Sequence, residues 1–247
     1  MGYRYSQLDK FFIRLYRIFV PTVDSPYTLG PIDDICAVFL VDPEKMRAYF
    51  AGNIELLRKV RGENIGDYFE FGVFNGTSLS NMHFAARKAG AKMKFFGFDA
   101  FEGLPAESEQ ADAGVFKKGF YTCSLPQLEK CLERKQVDKR DVTLIQGWYK
   151  DTLNSETARR YGLTNPGIVF IDCDTYGSSK TVLEFLTPLI TQPTIIHLDD
   201  WRLYGLDLKG EGEYLSFNEF LEENPRLTAR EIPSYKRNAR SFVVQPR

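Results

Sequence analysis

Residues 67–78 read DYFEFGVFNGTS. Five residues of apolar, strand-like sequence run into a turn holding Gly72 and Gly76, and Thr77 opens a segment of helical periodicity that lasts to Lys88. A strand that feeds a helix through a glycine-bearing turn is the repeating step of an α/β sheet. The same step recurs downstream. Strands are expected at MKFFGFD (93–99), DVTLIQG (141–147), GIVFIDCD (167–174) and PTIIHLDD (193–200). Helices are expected from Leu125 to Arg134, Ser178 to Ile190 and Ser216 to Glu222, and two further strands near 227–232 and 239–245. Strands that are continuous apolar runs between helices predict a doubly wound, mostly parallel sheet covered on both faces.

Upstream of residue 61 the character differs. Pro43 opens a helix over 43–60 with Met46, Tyr49, Phe50 and Leu57 on its apolar side. Residues 21–42 hold Pro21, Pro26, Gly30 and Pro31 and read as an irregular connection. Residues 5–20 place Phe11, Leu15 and Ile18 at helical spacing, with Lys10, Arg14 and Arg17 between them. That helix suits packing on the domain or a second subunit, or a membrane surface. The expected organisation is a helical extension over 1–60, for lid or dimer contacts, and a catalytic domain over 61–247. The stretch 102–120, rich in Gly, Ala and charge, reads as a loop or lid.

Composition narrows the classes. The chain has 247 residues, 43% of them hydrophobic, and 32 Lys plus Arg against 33 Asp plus Glu. A net charge of −1 provides no field for a nucleic acid partner. No apolar run is long enough to span a membrane, and the basic N-terminal stretch does not read as a signal peptide. Cys36, Cys123, Cys131 and Cys173 form no CxxC pair and read as reduced thiols, which points to the cytoplasm. His83 and His197 are read as satisfied core histidines.

Ligands of open parallel sheets bind beyond the carboxyl ends of the strands. Each of the five consecutive strands ends there in polar or glycine-rich residues: Glu70 and Gly72; Asp99 and Phe101; Gly147 and Trp148; Asp172, Cys173 and Asp174; Asp199 and Asp200. The first turn is not GxGxxG, which argues against an NAD-dependent dehydrogenase. Glu70 brings negative charge to it, which suits a ligand with a cationic amino acid end such as S-adenosylmethionine. Gly72, Phe74, Asn75, Thr77 and Ser78 are candidates for the same ligand. Asp99, ending the second strand, is expected to accept both ribose hydroxyls, and Phe101 and Trp148 to flank an adenine, beside Gly147. Asp172 with Asp199 and Asp200 would repel unless a cation or protons lay between them. All-oxygen ligands favour Mg²⁺ or Ca²⁺. Asp172 also borders the cofactor. Asp174, two residues on, is a candidate general base, or a cap for the helix at Ser178.

The motifs FEFGVFNGTSLSNM, FFGFDAFEGLP, VTLIQGWYKDTL, FIDCDTYGSSKTVLEFLTPL and IIHLDDW together resemble the macrocin O-methyltransferase family, over about residues 66–201 and in matching order. The resemblance implies a class I S-adenosylmethionine-dependent methyltransferase with a Rossmann-like, seven-stranded sheet whose last strand is antiparallel. It implies cofactor contacts at Glu70, Gly72 and Asp99 and a metal at Asp172, Asp199 and Asp200. It also implies a base role for Asp174. The acceptor it implies is a hydroxyl of a sugar or glycosylated natural product, and the assembly a homodimer or higher homo-oligomer. A catechol-like phenol as acceptor, or a non-catalytic binding module of the same fold, are the alternatives. The tail ending SFVVQPR carries no motif that matches.

Overall fold

The computed structural model describes residues 42–109, 112 and 116–247. The N-terminal helix expected over 5–20 and most of the connection over 21–42 lie outside the described residues. Seven strands form one sheet: β1 (Asp67–Phe71), β2 (Phe95–Asp99), β3 (Val142–Gln146), β4 (Pro166–Ile171), β5 (Thr194–Leu198), β6 (Leu227–Ile232) and β7 (Arg240–Pro246). Their order is β3-β2-β1-β4-β5-β7-β6. β7 runs antiparallel to both β5 and β6, and β1 to β5 pair in parallel. This is the predicted doubly wound sheet with its antiparallel last strand.

The helices are α1 (Pro43–Arg61), α2 (Thr77–Lys88), α3 (Leu125–Arg134), one-turn α4 (Tyr149–Thr152), α5 (Ser155–Tyr161), α6 (Tyr176–Leu186), one-turn α7 (Leu206–Lys209) and α8 (Gly212–Glu223). Period-two alternation divides the sheet between two cores. On one face Tyr68 and Phe170 meet Phe50, Ile54 and Leu57 of α1, Leu79 and Met82 of α2, and Leu128 and Leu132 of α3. On the other, Phe69, Phe71, Val169 and Ile171 meet Val182, Leu183 and Leu186 of α6 and Phe217 and Phe220 of α8. Phe50, Ile54 and Leu57 are fully buried, so α1, on the extension side of the expected boundary at 60, is laid into the domain core itself.

Four strands are shorter than their apolar runs. Expected strands at 93–99, 141–147, 167–174 and 193–200 end at Asp99, Gln146, Ile171 and Leu198. In the last two the ladder stops before the carboxylates, which are thereby released into loops at the sheet edge. α6 starts two residues earlier than expected and stops at Leu186, and α8 extends back to Gly212. His197 is a satisfied core residue. It pairs with Ser241 Oγ at 2.8 Å and Asn53 at 3.3 Å, and burial pushes its pKa down to about 3. His83 pairs with Asp141 at 2.9 Å. Cys123, Cys131 and Cys173 are free thiols. No helix among the described residues is long and apolar enough to cross a membrane. The loop expected over 102–120 is tied to itself by Leu104 N to Phe120 O and Gly119 N to Leu104 O, both 2.9 Å. Within it Phe116 packs on Leu203 and Leu206, and Asp112 accepts from the backbone N–H of Tyr176 and Gly212.

Candidate active site

The turn after β1 is built around two features. Gly72 has φ +87°, and a Cβ there would run into the carbonyl of Asp172, so only glycine lets β1 and β4 leave the sheet this close together. Asp99, at the end of β2, folds the turn from the other side. Its Oδ2 accepts from the backbone N–H of Val73 (2.9 Å) and Phe74 (3.0 Å), and its Oδ1 from that of Phe101 (2.7 Å). Burial raises the Asp99 pKa, and these three N–H groups oppose the rise. Both lone pairs of Oδ2 are engaged, leaving one on Oδ1. The sequence leads one to expect that Asp99 accepts both ribose hydroxyls; as the side chain stands, backbone N–H groups take three of its roughly four lone-pair sites.

Two more expectations change. Glu70 points down among the helices, not into the turn, because it shares its face of β1 with Tyr68, on the side where α2 packs. It is fully buried and accepts from Tyr68 Oη (2.5 Å) and Ser78 Oγ (2.6 Å). Burial lifts its pKa to about 8, which favours the neutral carboxyl at pH 7. It reaches the site only through Ser78. Phe101, with φ +60°, turns into the helix-side core and does not line the cavity. Gly72, Phe74, Asn75, Thr77, Ser78, Asp99, Gly147 and Trp148 do line it. The first turn of α2 has no side-chain cap, and its Thr77 and Ser78 line the same cavity.

The carboxylates gather at the other end. β4 and β5 are in register, Ile171 opposite Leu198, so Asp172 and the pair Asp199–Asp200 emerge side by side. One oxygen from each of these three lies within 4.8 Å of the others. Asp174 sits outside the strand with φ +65°, so strand alternation does not orient it; its carboxyl lies against that of Asp200 instead. Nor does it cap the next helix: Thr175 does, accepting from Ser178 N at 3.3 Å. Burial and mutual repulsion hold Asp172 and Asp174 well above the usual carboxylate range, and burial with Asp199 lifts Asp200 to about 7.

Two residues of this cluster were invisible in the sequence. Glu213, in the first turn of α8, accepts from Asp200 N at 2.8 Å, and burial with Asp200 and Asp199 raises its pKa strongly. Lys236, between β6 and β7, forms a buried ion pair with Asp199; the desolvation that would lower its pKa is outweighed by Asp199, Asp200 and Asp172. Neither carries a motif, and each reaches the cluster through tertiary packing alone. Asp200 Oδ2 and Glu213 Oε1 are buried without a partner. Hard oxygen donors gathered within reach of one another, and one unpartnered oxygen among the candidate ligands, fit a divalent cation held by Asp172, Asp199 and Asp200.

One cavity of about 760 Å³ joins the two ends, from the β1 turn past Asp99 and Trp148 to Asp172, Asp174, Asp199 and Asp200. Tyr121, Tyr235 and Lys236 complete its wall beside the carboxylates. It opens at the carboxyl edge, where the strand order reverses between β1 and β4.

This sheet order, with the crevice at its switch point, is the fold of class I O-methyltransferases. The O-methyltransferase NovP superposes with a TM-score of 0.65 at 17% identity, over 82% of this chain and 80% of that one. The calicheamicin methyltransferase CalS11 superposes with a TM-score of 0.61 at 18% identity, over 98% and 94%. In sequence, the macrocin-O-methyltransferase (TylF) family model matches residues 51–209, and the chain belongs to that family. A similar curated protein is the 8-demethyl-8-(2,3-dimethoxy-alpha-L-rhamnosyl)-tetracenomycin-C 4'-O-methyltransferase of Streptomyces olivaceus, 28% identical over 145 residues. The match takes in 56% of this chain and about half, 54%, of that relative's length.

Proposed function

We propose that the chain transfers the methyl group of S-adenosylmethionine to a hydroxyl of a sugar, free or on a glycosylated natural product, with Mg²⁺ or Ca²⁺ at Asp172, Asp199 and Asp200. The observation that carries this reading is the single cavity: a nucleoside-sized crevice over the glycine turn runs directly into a carboxylate cluster that fits a cation. The Streptomyces relative, whose name places its chemistry on a rhamnosyl unit, supports a sugar as acceptor.

In this reading the uncapped N–H groups at Thr77 and Ser78 hold the carboxylate of the donor's amino acid end, where a helix N-terminus favours an anion. Asp99 takes one ribose hydroxyl with its remaining lone pair, and Trp148 lies against the adenine. Asp172, on the border between turn and cluster, would hold both the amine end and the cation. S-adenosylmethionine, when bound, would supply an electrophilic methyl carbon on a sulfonium, with a neutral thioether as its leaving group. The cation, when bound, offsets the carboxylates and lowers the pKa of a hydroxyl beside it. Asp174 receives the hydroxyl proton on its carboxylate while the oxygen forms its bond to the methyl carbon and the carbon–sulfur bond breaks. Wall residues of the cavity hold oxygen and carbon in line and exclude water.

The test is methyl transfer from labelled S-adenosylmethionine to a panel of rhamnosides, other deoxysugar glycosides, nucleotide sugars and catechols, read by mass spectrometry with and without EDTA. Turnover of a glycoside that EDTA abolishes and Mg²⁺ restores is the expected result. Turnover of catechols alone would overturn the sugar assignment, and no turnover of either class despite tight S-adenosylhomocysteine binding would point to a binding module.

A further inference from the structure

The carboxylate cluster contains a positive charge of its own. Asp172, Asp174, Asp199, Asp200 and Glu213 crowd together at the edge of β4 and β5, and the Lys236 ammonium is buried among them, ion-paired to Asp199. The side chains of the pair are only 5% and 9% exposed. Lys236 comes from the irregular connection between β6 and β7, on the far side of β5 from β4. That connection is tied to the segment after Asp200 by Arg202 N to Asn238 O at 2.9 Å, so the lysine's backbone is held while its four-carbon arm reaches inward. Lys236 also lines the cavity, so its flexible four-carbon arm borders open space.

We propose that Lys236 is a tethered counter-cation: it neutralises the cluster in the metal-free chain and is displaced from Asp199 when a divalent ion enters. The inference rests on the metal reading given above. An ammonium and a divalent ion sharing one carboxylate in a dry site repel each other, and Asp199 cannot direct the same lone pairs at both. Asp200 Oδ2 is the oxygen left without a partner, so the lysine fills only part of the cation's place. The metal affinity of the chain is therefore set by exchange of one cation for another, not by filling of a vacant acidic pocket.

Calorimetric titration of the full, EDTA-stripped chain with Mg²⁺ and Mn²⁺ tests this on the wild type, Lys236→Met and Lys236→Arg. Lys236→Met is expected to bind metal at least about ten-fold tighter than wild type, a change of about 1.4 kcal/mol. Lys236→Arg is expected to stay near wild type. Equal or weaker binding by Lys236→Met would overturn the displacement and leave the metal site standing; no binding by wild type or variant would overturn both. Should Lys236→Met fail to fold without metal, the wild type alone suffices. Acylation of Lys236 by acetic anhydride, followed by peptide mass spectrometry, is expected to quicken several-fold at saturating Mg²⁺ as the amine leaves the cluster. An unchanged or slower rate would refute the idea.

Discussion

Single residues at this site do different work from what their position in the chain suggests. Asp174 is the sharpest case. Its φ of +65° is one that Asn tolerates nearly as well as Asp, and Thr175 rather than Asp174 caps α6. Asp174→Asn should therefore preserve the fold while removing the proton acceptor. Turnover is expected to fall about 10²–10⁴-fold with S-adenosylhomocysteine affinity near wild type by calorimetry; turnover within a few-fold of wild type would exclude a base role. Glu70 makes a second residue-scale prediction. Its pKa is raised from the ordinary 4.5 to about 8 by burial, so the folded chain holds a proton that the unfolded chain has released. Stability from this group is complete below the unfolded value and is lost as pH rises through about 8. His197 works the other way: its lowered pKa, about 3 against 6.5, costs stability only as pH falls below 6.5. Between pH 6.5 and 8 the Glu70 effect should show, with a slope of up to about 1.4 kcal/mol per pH unit. Urea unfolding should give a stability that falls less steeply with pH in Glu70→Gln than in wild type, and parallel slopes would remove Glu70 from the account.

At the scale of elements, the site depends on where two strands stop. β4 ends at Ile171 and β5 at Leu198, one register step before their carboxylates, and β1 ends at Phe71, just before Gly72, between β2 and β4. The Asp172 carbonyl lies where a Cβ on residue 72 would sit, so the β1 turn and the first metal-candidate residue are in steric register. Gly72→Ala should strain both at once, through a positive φ and a backbone clash. A loss of at least about 2 kcal/mol in urea unfolding is expected, with weakened binding of both S-adenosylhomocysteine and Mn²⁺. Gly177→Ala is the control, since it lies in α6 with nothing within 4 Å of its added Cβ. If Gly72→Ala loses no more stability than Gly177→Ala, the close approach of β1 and β4 is not what holds the turn.

At the scale of the whole molecule, the carboxylate cluster is the place among the described residues where folding gathers like charge in a dry site. β4, β5, α8 and the β6–β7 connection each contribute to it, so its electrostatic cost is borne by the domain as a unit. A ligand that binds only the folded chain raises its stability by mass action, about 2.7 kcal/mol at a concentration 100 times Kd. For a chain of this size that is an increase in Tm of about 5–10 °C. Differential scanning calorimetry of EDTA-treated protein should show such a rise on adding Mg²⁺, and Asp200→Asn should shrink it. A Tm indifferent to Mg²⁺, Ca²⁺ and Mn²⁺ would leave the cluster without a cation.

Much of this was determined by the sequence alone. The apolar strand runs, the glycine turn and the aspartates at strand ends are local patterns, and local patterns set element type and the edge at which a ligand binds. In-register pairing of β4 and β5 then brings Asp172 beside Asp199 and Asp200, as the strand-end positions implied. What the sequence could not determine is which way a side chain faces once the chain leaves the ladder. Glu70 turned inward because α2 packs on its face of β1, Phe101 turned into the core at a positive φ, and Asp99 is occupied by backbone amides of a turn 25 residues upstream. Lys236 lies 37 residues from Asp199, and only the antiparallel return of β7 beside β5 closes that gap. Such partners depend on burial and on the sum of charges in three dimensions, and neither quantity is defined along the chain.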